Sequence, residues 1–348
     1  MLNGSSGQAW AQVTPLGGTA GFELLSTNPR TGNWHLRLTP GFSEGVARRV
    51  FGAALTEVFL GKALCAHSLP STEPSSGGNN GVFLFMLSDA TNVVQCSIYL
   101  GTDGALEARL GTTTVLGRTV PCIGAGAYQH IELYAKASDS GAGAIEIRVD
   151  EVTRLNLTGI DTVTSALVEF SQDMCGEQGV SSAGGGPYDF ADFFCNDTTD
   201  DGSGCNDFIG DCKSGLLMVD ADTAQADFTL SSGVSGYALL DETPPNDSDY
   251  ITTSSTSARS DFGLADTPGN LTEILTVRPF DRAWKDDAGT CTIAPNITSN
   301  GTDGTVPDQP IATAPSYYDS NVPFDPDTGV PWTKSGLDAA LRVVERTS

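Results

Sequence analysis

Basic residues are scarce in this chain, and the shortage excludes two classes of partner. The 348 residues include 18 Lys and Arg against 43 Asp and Glu, which gives a formal net charge of −25. A nucleic-acid-binding surface needs clustered Lys and Arg, and an anionic membrane surface attracts the same residue types. The sequence therefore predicts neither a nucleic-acid partner nor a membrane partner.

Long apolar runs are also missing. No run approaches the roughly 18 apolar residues that a membrane-spanning helix requires. The N-terminal residues, MLNGSSGQAWAQVTP, have neither the basic start nor the apolar stretch of a secretory signal peptide. We therefore expect the protein to be made and folded in a cytoplasm, where thiols stay reduced by default.

Histidine is rare, and no zinc-binding spacing is present. The three histidines, His35, His67 and His130, lie far apart, and the eight cysteines form no C-x2-C pair. We expect no structural zinc, and we expect each histidine to be a surface residue or a satisfied core residue.

One acidic loop, residues 196–211, holds the oxygen ligands that Ca²⁺ prefers. Its spacing is not that of an EF-hand, so both a calcium site and a plain solvated loop stay open. No other cofactor is predicted. The aspartates concerned are Asp197, Asp200, Asp201, Asp207 and Asp211.

Three cysteines, Cys195, Cys205 and Cys212, cluster at a predicted domain boundary. If the protein leaves a reducing cytoplasm for an oxidising medium, these thiols could form disulfides within or between subunits. The alternative is that they stay reduced as buried structural residues. Both interpretations are open at the level of sequence.

What the chain does contain is β-structure. Forty glycines and eighteen prolines are spread along a sequence that is 39% hydrophobic, which favours many short strands joined by turns. Residues 188–194, YDFADFF, form the strand around which the chain is organised. Polar and apolar residues alternate over 129–136 and 143–149, and a further strand follows a turn at Asp150-Glu151. The pattern predicts roughly ten strands up to residue 211.

The second half has shorter elements. Residues 272–278 and 290–294 are predicted to pair as a hairpin. Ser335 is predicted to cap a short C-terminal helix with Asp338 at its third position. The apolar stripe of that helix would comprise Leu337, Ala340, Leu341 and Val344.

The segments HIELY, IEIRVDE, LNLTGIDT and YDFADFF, in that order, resemble the concanavalin A-like (laminin G-like) jelly roll. The segments LLDETPPNDSDYI, KDDAGT and DPDTGVPWT are similar to parts of a family of tailed-bacteriophage virion proteins. The resemblance spans roughly residues 80–345. It implies an all-β chain, with a concanavalin A-like sandwich over 1–211 and a second β-sandwich-like domain with a short C-terminal helix over 212–348.

Sandwiches of this kind include glycosidases, so paired carboxylates are the relevant catalytic signature. Glu146 and Asp150 share a strand face, but Arg148 lies between them and Asp150 falls in a predicted turn. The pattern also differs from the E-x-D-x-x-E of laminarinase-like enzymes. We therefore expect no catalytic residues and a chain that is not an enzyme.

The resemblance implies a structural role in a tailed-phage virion, as a collar, tail or capsid-decoration subunit. The implied partners are other virion proteins and further copies of the chain in a homo-oligomer, and the implied location is the virion. The alternative is an adhesin whose jelly roll recognises a host surface glycan.

Overall fold

The computed structural model describes residues 12–15, 21–25, 30, 35–40, 45–75, 81–178, 185–198, 206–213, 215–233, 235–242, 246–269 and 271–348. The chain divides into two compact units, of which the first extends to Gly215 and the second includes Leu216–Ser348. The sequence-based boundary between residues 211 and 212 stays a prediction. The described part of the chain contains no helix with the length and apolarity that crossing a membrane requires.

The first unit is a jelly-roll β-sandwich, as the sequence predicts. Its described strands number fourteen, more than the ten expected, because several short strands lie in turn-rich sequence. They are β1 Gln12–Pro15, β2 Gly21–Leu25, β3 His35–Thr39, β4 Gly45–Leu55, β5 Glu57–Ala66, β6 Gly81–Ser88, β7 Val94–Leu100, β8 Leu106–Leu110, β9 Thr114–Arg118, β10 Tyr128–Lys136, β11 Gly143–Val149, β12 Val152–Ile160, β13 Phe170–Gln178 and β14 Tyr188–Asn196.

These strands form two sheets of seven described strands each. Sheet A has the order β12-β11-β10-β5-β14-β3-β2, and sheet B has the order β1-β4-β13-β6-β7-β8-β9. The described pairings within both sheets are antiparallel. The organising strand β14 is an interior strand of sheet A, between β3 and β5. The predicted β10–β11 hairpin and the turn at Asp150-Glu151 are confirmed.

The core lies between the two sheets because alternate residues of each strand point inward. Leu36 and Leu38 of β3 are buried there, and so are Ile131 and Leu133 of β10. The polar residues between them point to the opposite, outer face of sheet A. A strand whose outer-face residues are also buried needs something over that face.

The second unit is built on a smaller sheet of five described strands, with three two-stranded ribbons. The order of the strands in that sheet is Val219–Ala226, Arg259–Leu264, Leu341–Glu345, Asn296–Ser299 and Thr302–Asp303. Its core cluster comprises Ile297, Val322, Trp332, Leu337 and Ala340. The strands are β15 Val219–Ala226, β16 Thr229–Leu230, β17 Ile251–Thr252, β18 Arg259–Leu264, β19 Phe280–Ala283, β20 Thr292–Ile293, β21 Asn296–Ser299, β22 Thr302–Asp303, β23 Gln309–Pro310, β24 Ser316–Asp319 and β25 Leu341–Glu345; a 3₁₀ turn spans Tyr237–Leu239.

Two local predictions in the second unit are wrong. The C-terminal helix α1 spans only Lys334–Asp338, and its N-cap is Thr333 rather than Ser335. Residues 341–345 are strand β25 because they pair with both β18 and β21, and those pairings outweigh the helical stripe. The hairpin between 272–278 and 290–294 does not form, since β20 pairs with β23 instead.

Candidate functional site on the outer face of sheet A

A row of four side chains crosses the middle of sheet A. Arg37 of β3 lies opposite Asp189 of β14, Asp189 lies opposite Cys65 of β5, and Cys65 lies opposite Tyr128 of β10. Four adjacent strands span about 15 Å at the usual strand spacing. The residues flanking Arg37, Asp189 and Cys65 belong to the core, so these three side chains point outward. Distant parts of the sequence thus meet on one face.

Asp189 is the hub of this row. Its Oδ1 accepts a hydrogen bond from Nε of Arg37 at 2.6 Å, and its Oδ2 accepts one from Nη2 of Arg37 at 2.8 Å. Nε2 of His67 lies 2.7 Å from the same Oδ2. Nε2 of His35 lies 3.4 Å from Oδ1. One carboxylate therefore fixes a guanidinium and is in contact with two imidazoles.

The surroundings keep Asp189 ionised. Burial alone would raise the pKa of this carboxyl, but the hydrogen bonds from Arg37 and His67 outweigh burial and lower the pKa below its ordinary value. A carboxylate held in this way cannot supply a proton near neutral pH. It can orient the imidazoles and stabilise the positive charge on one of them.

All three histidines of the chain lie on this face, although the sequence separates them widely. In the next row of the sheet, Ala63 of β5 is opposite both Ala191 and His130. His35 and His130 are each 1% exposed, and neither ring makes a hydrogen bond to a described residue. Burial lowers the pKa of both imidazoles, so both are neutral at pH 7. The expectation of isolated surface or satisfied core histidines is wrong for this pair.

His67 differs from the other two because it is accessible. Its side chain is 41% exposed, while that of Arg37 is 22% exposed. Tyr128 completes the row with a buried hydroxyl that has no hydrogen-bond partner among the described residues. Burial raises the pKa of this phenol, which keeps it protonated. The face therefore presents one accessible imidazole and one guanidinium, beside a phenol whose buried hydroxyl stays protonated.

A short segment, Asp207–Asp211, covers the neighbouring part of the same face; we call it the strap. Glu132 of β10 accepts hydrogen bonds from the backbone N–H groups of Ile209 at 3.0 Å and Gly210 at 2.9 Å. The ring of Phe208 lies 3.7 Å from the guanidinium carbon of Arg148. The strap explains why Glu132, a charged outer-face residue, is buried. It leaves the His67 end of the row accessible.

The carboxylates considered for hydrolysis are both engaged elsewhere. Glu146 Oε1 accepts from Nε of Arg148 at 2.8 Å and from the Thr153 hydroxyl at 2.9 Å. Asp150 has φ 49° in the predicted turn, and its Oδ1 accepts from the backbone N–H of His130 at 2.8 Å. The two side chains therefore hold the hairpin.

The acidic loop supplies structural contacts where it is described. Asp211 pairs with Arg30, and the Asp207 carboxylate accepts from the backbone N–H of Phe208 at 2.6 Å. Asp200 and Asp201 lie outside the described residues. Within the described ranges, no group of three or more His, Cys, Asp or Glu is arranged to hold a metal ion. A calcium site in this loop stays a prediction.

Of the three cysteines at the predicted boundary, two can be located. Cys195 is buried on β14, and Cys212 is a half-buried thiol whose pKa burial raises to about 12. Such a thiol is a poor nucleophile for disulfide exchange at neutral pH. Cys205 lies outside the described residues, and the disulfide hypothesis stays a prediction.

No protein-family model and no curated protein matches the chain. Solved structures with similar β-sandwiches include the endo-β-1,4-glucuronan lyase of Trichoderma reesei, at 14% identity and a TM-score of 0.40, covering 54% of this chain and 90% of that one. The alginate lyase Aly36B is 13% identical, with a TM-score of 0.33, and the match covers 54% of this chain and 95% of that one. The carbohydrate recognition domain of Emp46p is 8% identical, with a TM-score of 0.32, and the match covers 50% of this chain and 85% of that one. These likenesses concern the fold.

One prediction is corrected at this point. The expectation that the chain is not an enzyme is contradicted, because solved structures with a similar sandwich include glucuronan and alginate lyases. Paired carboxylates are the signature of glycoside hydrolysis. Acid–base chemistry by a histidine leaves no such paired signature. The virion role, its protein partners, its homo-oligomer and its location stay predictions.

Proposed function

We propose that the first unit binds an acidic polysaccharide on the outer face of sheet A and cleaves it by β-elimination. The observation that carries this proposal is the contact of His67, His35 and Arg37 with the single buried carboxylate of Asp189. An exposed imidazole, held by a buried carboxylate that a guanidinium locks in place, is an oriented general base.

His67 is the base. Its Nε2 lies 2.7 Å from Asp189 Oδ2, so Nδ1 is the ring nitrogen that remains for a ligand. The Asp189 carboxylate orients the ring and stabilises the imidazolium that forms after proton transfer. Because the side chain is 41% exposed, a polymer can approach it without a rearrangement of the sheet.

Arg37 supplies the cation that the binding of an acidic sugar requires. Its Nε and Nη2 bind Asp189, and its Nη1 has no hydrogen-bond partner among the described residues. A cation in this position binds the carboxylate of a uronate residue. It also stabilises the negative charge that develops on that carboxylate when the neighbouring carbon loses its proton.

The reaction is an elimination and consumes no water. His67 removes the proton from the carbon that bears the carboxylate, and a C=C bond forms to the adjacent carbon. The C–O bond of the glycosidic linkage breaks at that adjacent carbon, and the departing oxygen takes a proton from solvent. His67 then releases its proton to solvent, which restores the site.

Hydrolysis by two carboxylates is the competing chemistry for a sandwich of this kind. It needs one carboxyl group that is protonated near neutral pH. The lowered pKa of Asp189 removes that possibility for the hub residue. The same site could hold a host surface glycan without cleaving it, and the experiment below separates the two cases.

The test is an assay on a panel of polyuronates and neutral glucans. We expect ultraviolet absorbance from the unsaturated carboxylate product to rise with at least one polyuronate and with no neutral glucan. His67→Asn should abolish the signal, while His130→Gln, on the same face but outside the row, should keep it. New reducing ends without absorbance would mean hydrolysis and contradict the proposal. Saturable binding without either product would leave glycan binding and exclude the lyase.

A further inference from the structure

A second depression lies on the outer face of the opposite sheet, sheet B, in the same unit. It encloses about 380 Å³ between β4, the start of β13 and the turn that joins β6 to β7. Val50, Ala53 and Ala54 form an apolar wall, and Arg48, Asn92 and Gln172 form a polar one. This volume falls within the range of small-molecule sites and suits a single sugar residue.

The side chains of the polar wall form a hydrogen-bond network in which one acceptor atom has no partner among the described residues. Asn92 Oδ1 accepts from Nη1 of Arg48 at 3.1 Å and from Nε2 of Gln172 at 2.8 Å. Nε2 of Gln172 also donates to the Asp89 carbonyl at 3.1 Å, so two acceptors fix the orientation of this amide. Gln172 is 4% exposed, and its Oε1 has no partner among the described residues.

Arg48 leaves a donor in the same pocket. Its Nε is buried and makes no hydrogen bond to a described residue. Its guanidinium also forms no salt bridge in the described part of the chain, whereas Arg37, Arg109 and Arg118 each have carboxylate partners. In a chain with 43 acidic residues, a half-buried arginine without a carboxylate partner is available to bind an anion.

We propose that this pocket binds one sugar-acid residue. The carboxylate binds the half-buried guanidinium of Arg48, and a sugar hydroxyl donates to Oε1 of Gln172. The apolar face of the ring packs against Val50 and Ala54. Burying a donor and an acceptor without partners is unfavourable, and a hydroxy-carboxylate satisfies both. The ligand is either a free sugar acid or the terminal residue of an acidic chain.

The site is separate from the proposed cleavage site, and calorimetric titration with glucuronate tests it independently. We expect saturable binding of glucuronate by wild type and by His67→Asn, and much weaker binding of neutral glucose. Arg48→Met should weaken glucuronate binding about 10-fold or more, and Gln172→Leu should weaken it by a smaller factor. The matched control is Arg154→Met, which removes the same charge from an exposed position of β12.

Three outcomes would overturn the proposal. They are no saturable glucuronate binding by wild type, equal affinity for glucose, and equal losses in Arg48→Met and Arg154→Met. If Arg48→Met unfolds, Arg48→Lys keeps the charge without the planar fork and should still bind more weakly. An oligouronate that binds more tightly than glucuronate identifies a chain end as the ligand, and equal affinities identify the free acid. Both results support the pocket.

Discussion

Two buried aspartates of the first unit, Asp173 and Asp189, show what position does to the same side chain. Asp173 lies inside the sandwich, where Nζ of Lys62 and Nη2 of Arg49 approach its Oδ2 at 3.5 and 3.7 Å. All three residues are 1% exposed. Asp189 lies on the outer face and touches groups that a ligand can also reach. The interior cluster can only stabilise the fold, whereas the outer cluster can also do chemistry.

The bonding of the two clusters differs as well. Nζ of Lys62 donates to the Leu84 carbonyl at 2.6 Å and lies 4.0 Å from the centre of the Phe85 ring. Residues of β6 therefore bind this ammonium group in addition to Asp173. Asp189 has short, bidentate contacts with Arg37 instead. Breaking the interior cluster should lower the free energy of unfolding, because it leaves a buried charge without a partner. Breaking the outer cluster should instead lower the rate of the proposed reaction, because Asp189 no longer orients His67.

The largest expected effect separates the two carboxylates by activity. Asp189→Asn keeps the shape but removes the charge that orients His67, so we expect the rate of β-elimination to fall by about 10²–10⁴-fold. Asp173→Asn should leave the rate of the folded protein unchanged. Both are measured well below the unfolding temperature of each variant. Equal rate losses would contradict the division of roles.

The second-largest effect is the contribution of the interior Asp173 cluster to the stability of the fold. Lys62→Met leaves Asp173 buried with a single, distant cation, and we expect the free energy of unfolding to fall by about 3–5 kcal/mol. The matched control is Lys136→Met, whose side chain is 40% exposed and pairs with Glu57 at 2.8 Å. That surface pair should contribute about 1 kcal/mol or less. Chemical denaturation of the variants measures the difference, and similar losses would refute it.

The third effect is a pH dependence of stability on the outer face. The pKa of His35 is lowered by burial, so below about pH 6.5 the unfolded state binds a proton that the folded state does not. Stability should therefore fall as the pH drops from about 6.5, by up to about 1.4 kcal/mol per pH unit for this group.

His35→Gln should reduce that slope, and His130→Gln should reduce it further because burial also lowers the pKa of His130. Denaturation midpoints between about pH 5 and 7.5 measure the slope. An unchanged slope in the double variant would show that these imidazoles are not buried in the neutral form.

The smallest effect concerns the bidentate contact of Arg37 with Asp189. Arg37→Lys keeps a cation but loses the bidentate geometry, and we expect a loss of about 1 kcal/mol near neutral pH. The lowered pKa of Asp189 stabilises the protein above its unfolded pKa, and that contribution is lost as the pH falls through its folded pKa. The gap between wild type and Arg37→Lys should therefore narrow below about pH 3.9, which acid titration of stability can check.

The residue pattern predicts the fold class, but it does not predict which residues form the candidate site. Alternation over 129–136 and 143–149 predicts the correct hairpin, because local pattern and neighbouring strands decide such pairs. His35, His67 and Asp189 meet because β14 pairs with both β3 and β5. Asp189 of β14 lies more than 100 residues after both His67 and Arg37 in the sequence. The alternation of His35-Leu36-Arg37 shows that His35 and Arg37 share a face. No local signal shows that Asp189 is opposite them.

The C-terminal residues show the opposite limit. Leu337, Ala340, Leu341 and Val344 have helical spacing, yet only one turn of helix forms before β25. Val343 is fully buried because β25 lies between β18 and β21. A five-residue helix has little intrinsic stability, so long-range strand pairing decides the structure of this segment.

The most direct test of the account is an imidazole NMR titration of the protein with a short oligouronate. The chain has three histidines, so each ring can be assigned by the variants His35→Gln, His67→Asn and His130→Gln. We predict large, saturable shifts for His67, smaller ones for His35 through the shared Asp189 carboxylate, and none for His130. Saturable binding that leaves the His67 signals unmoved would contradict the claim that this face is the carbohydrate site.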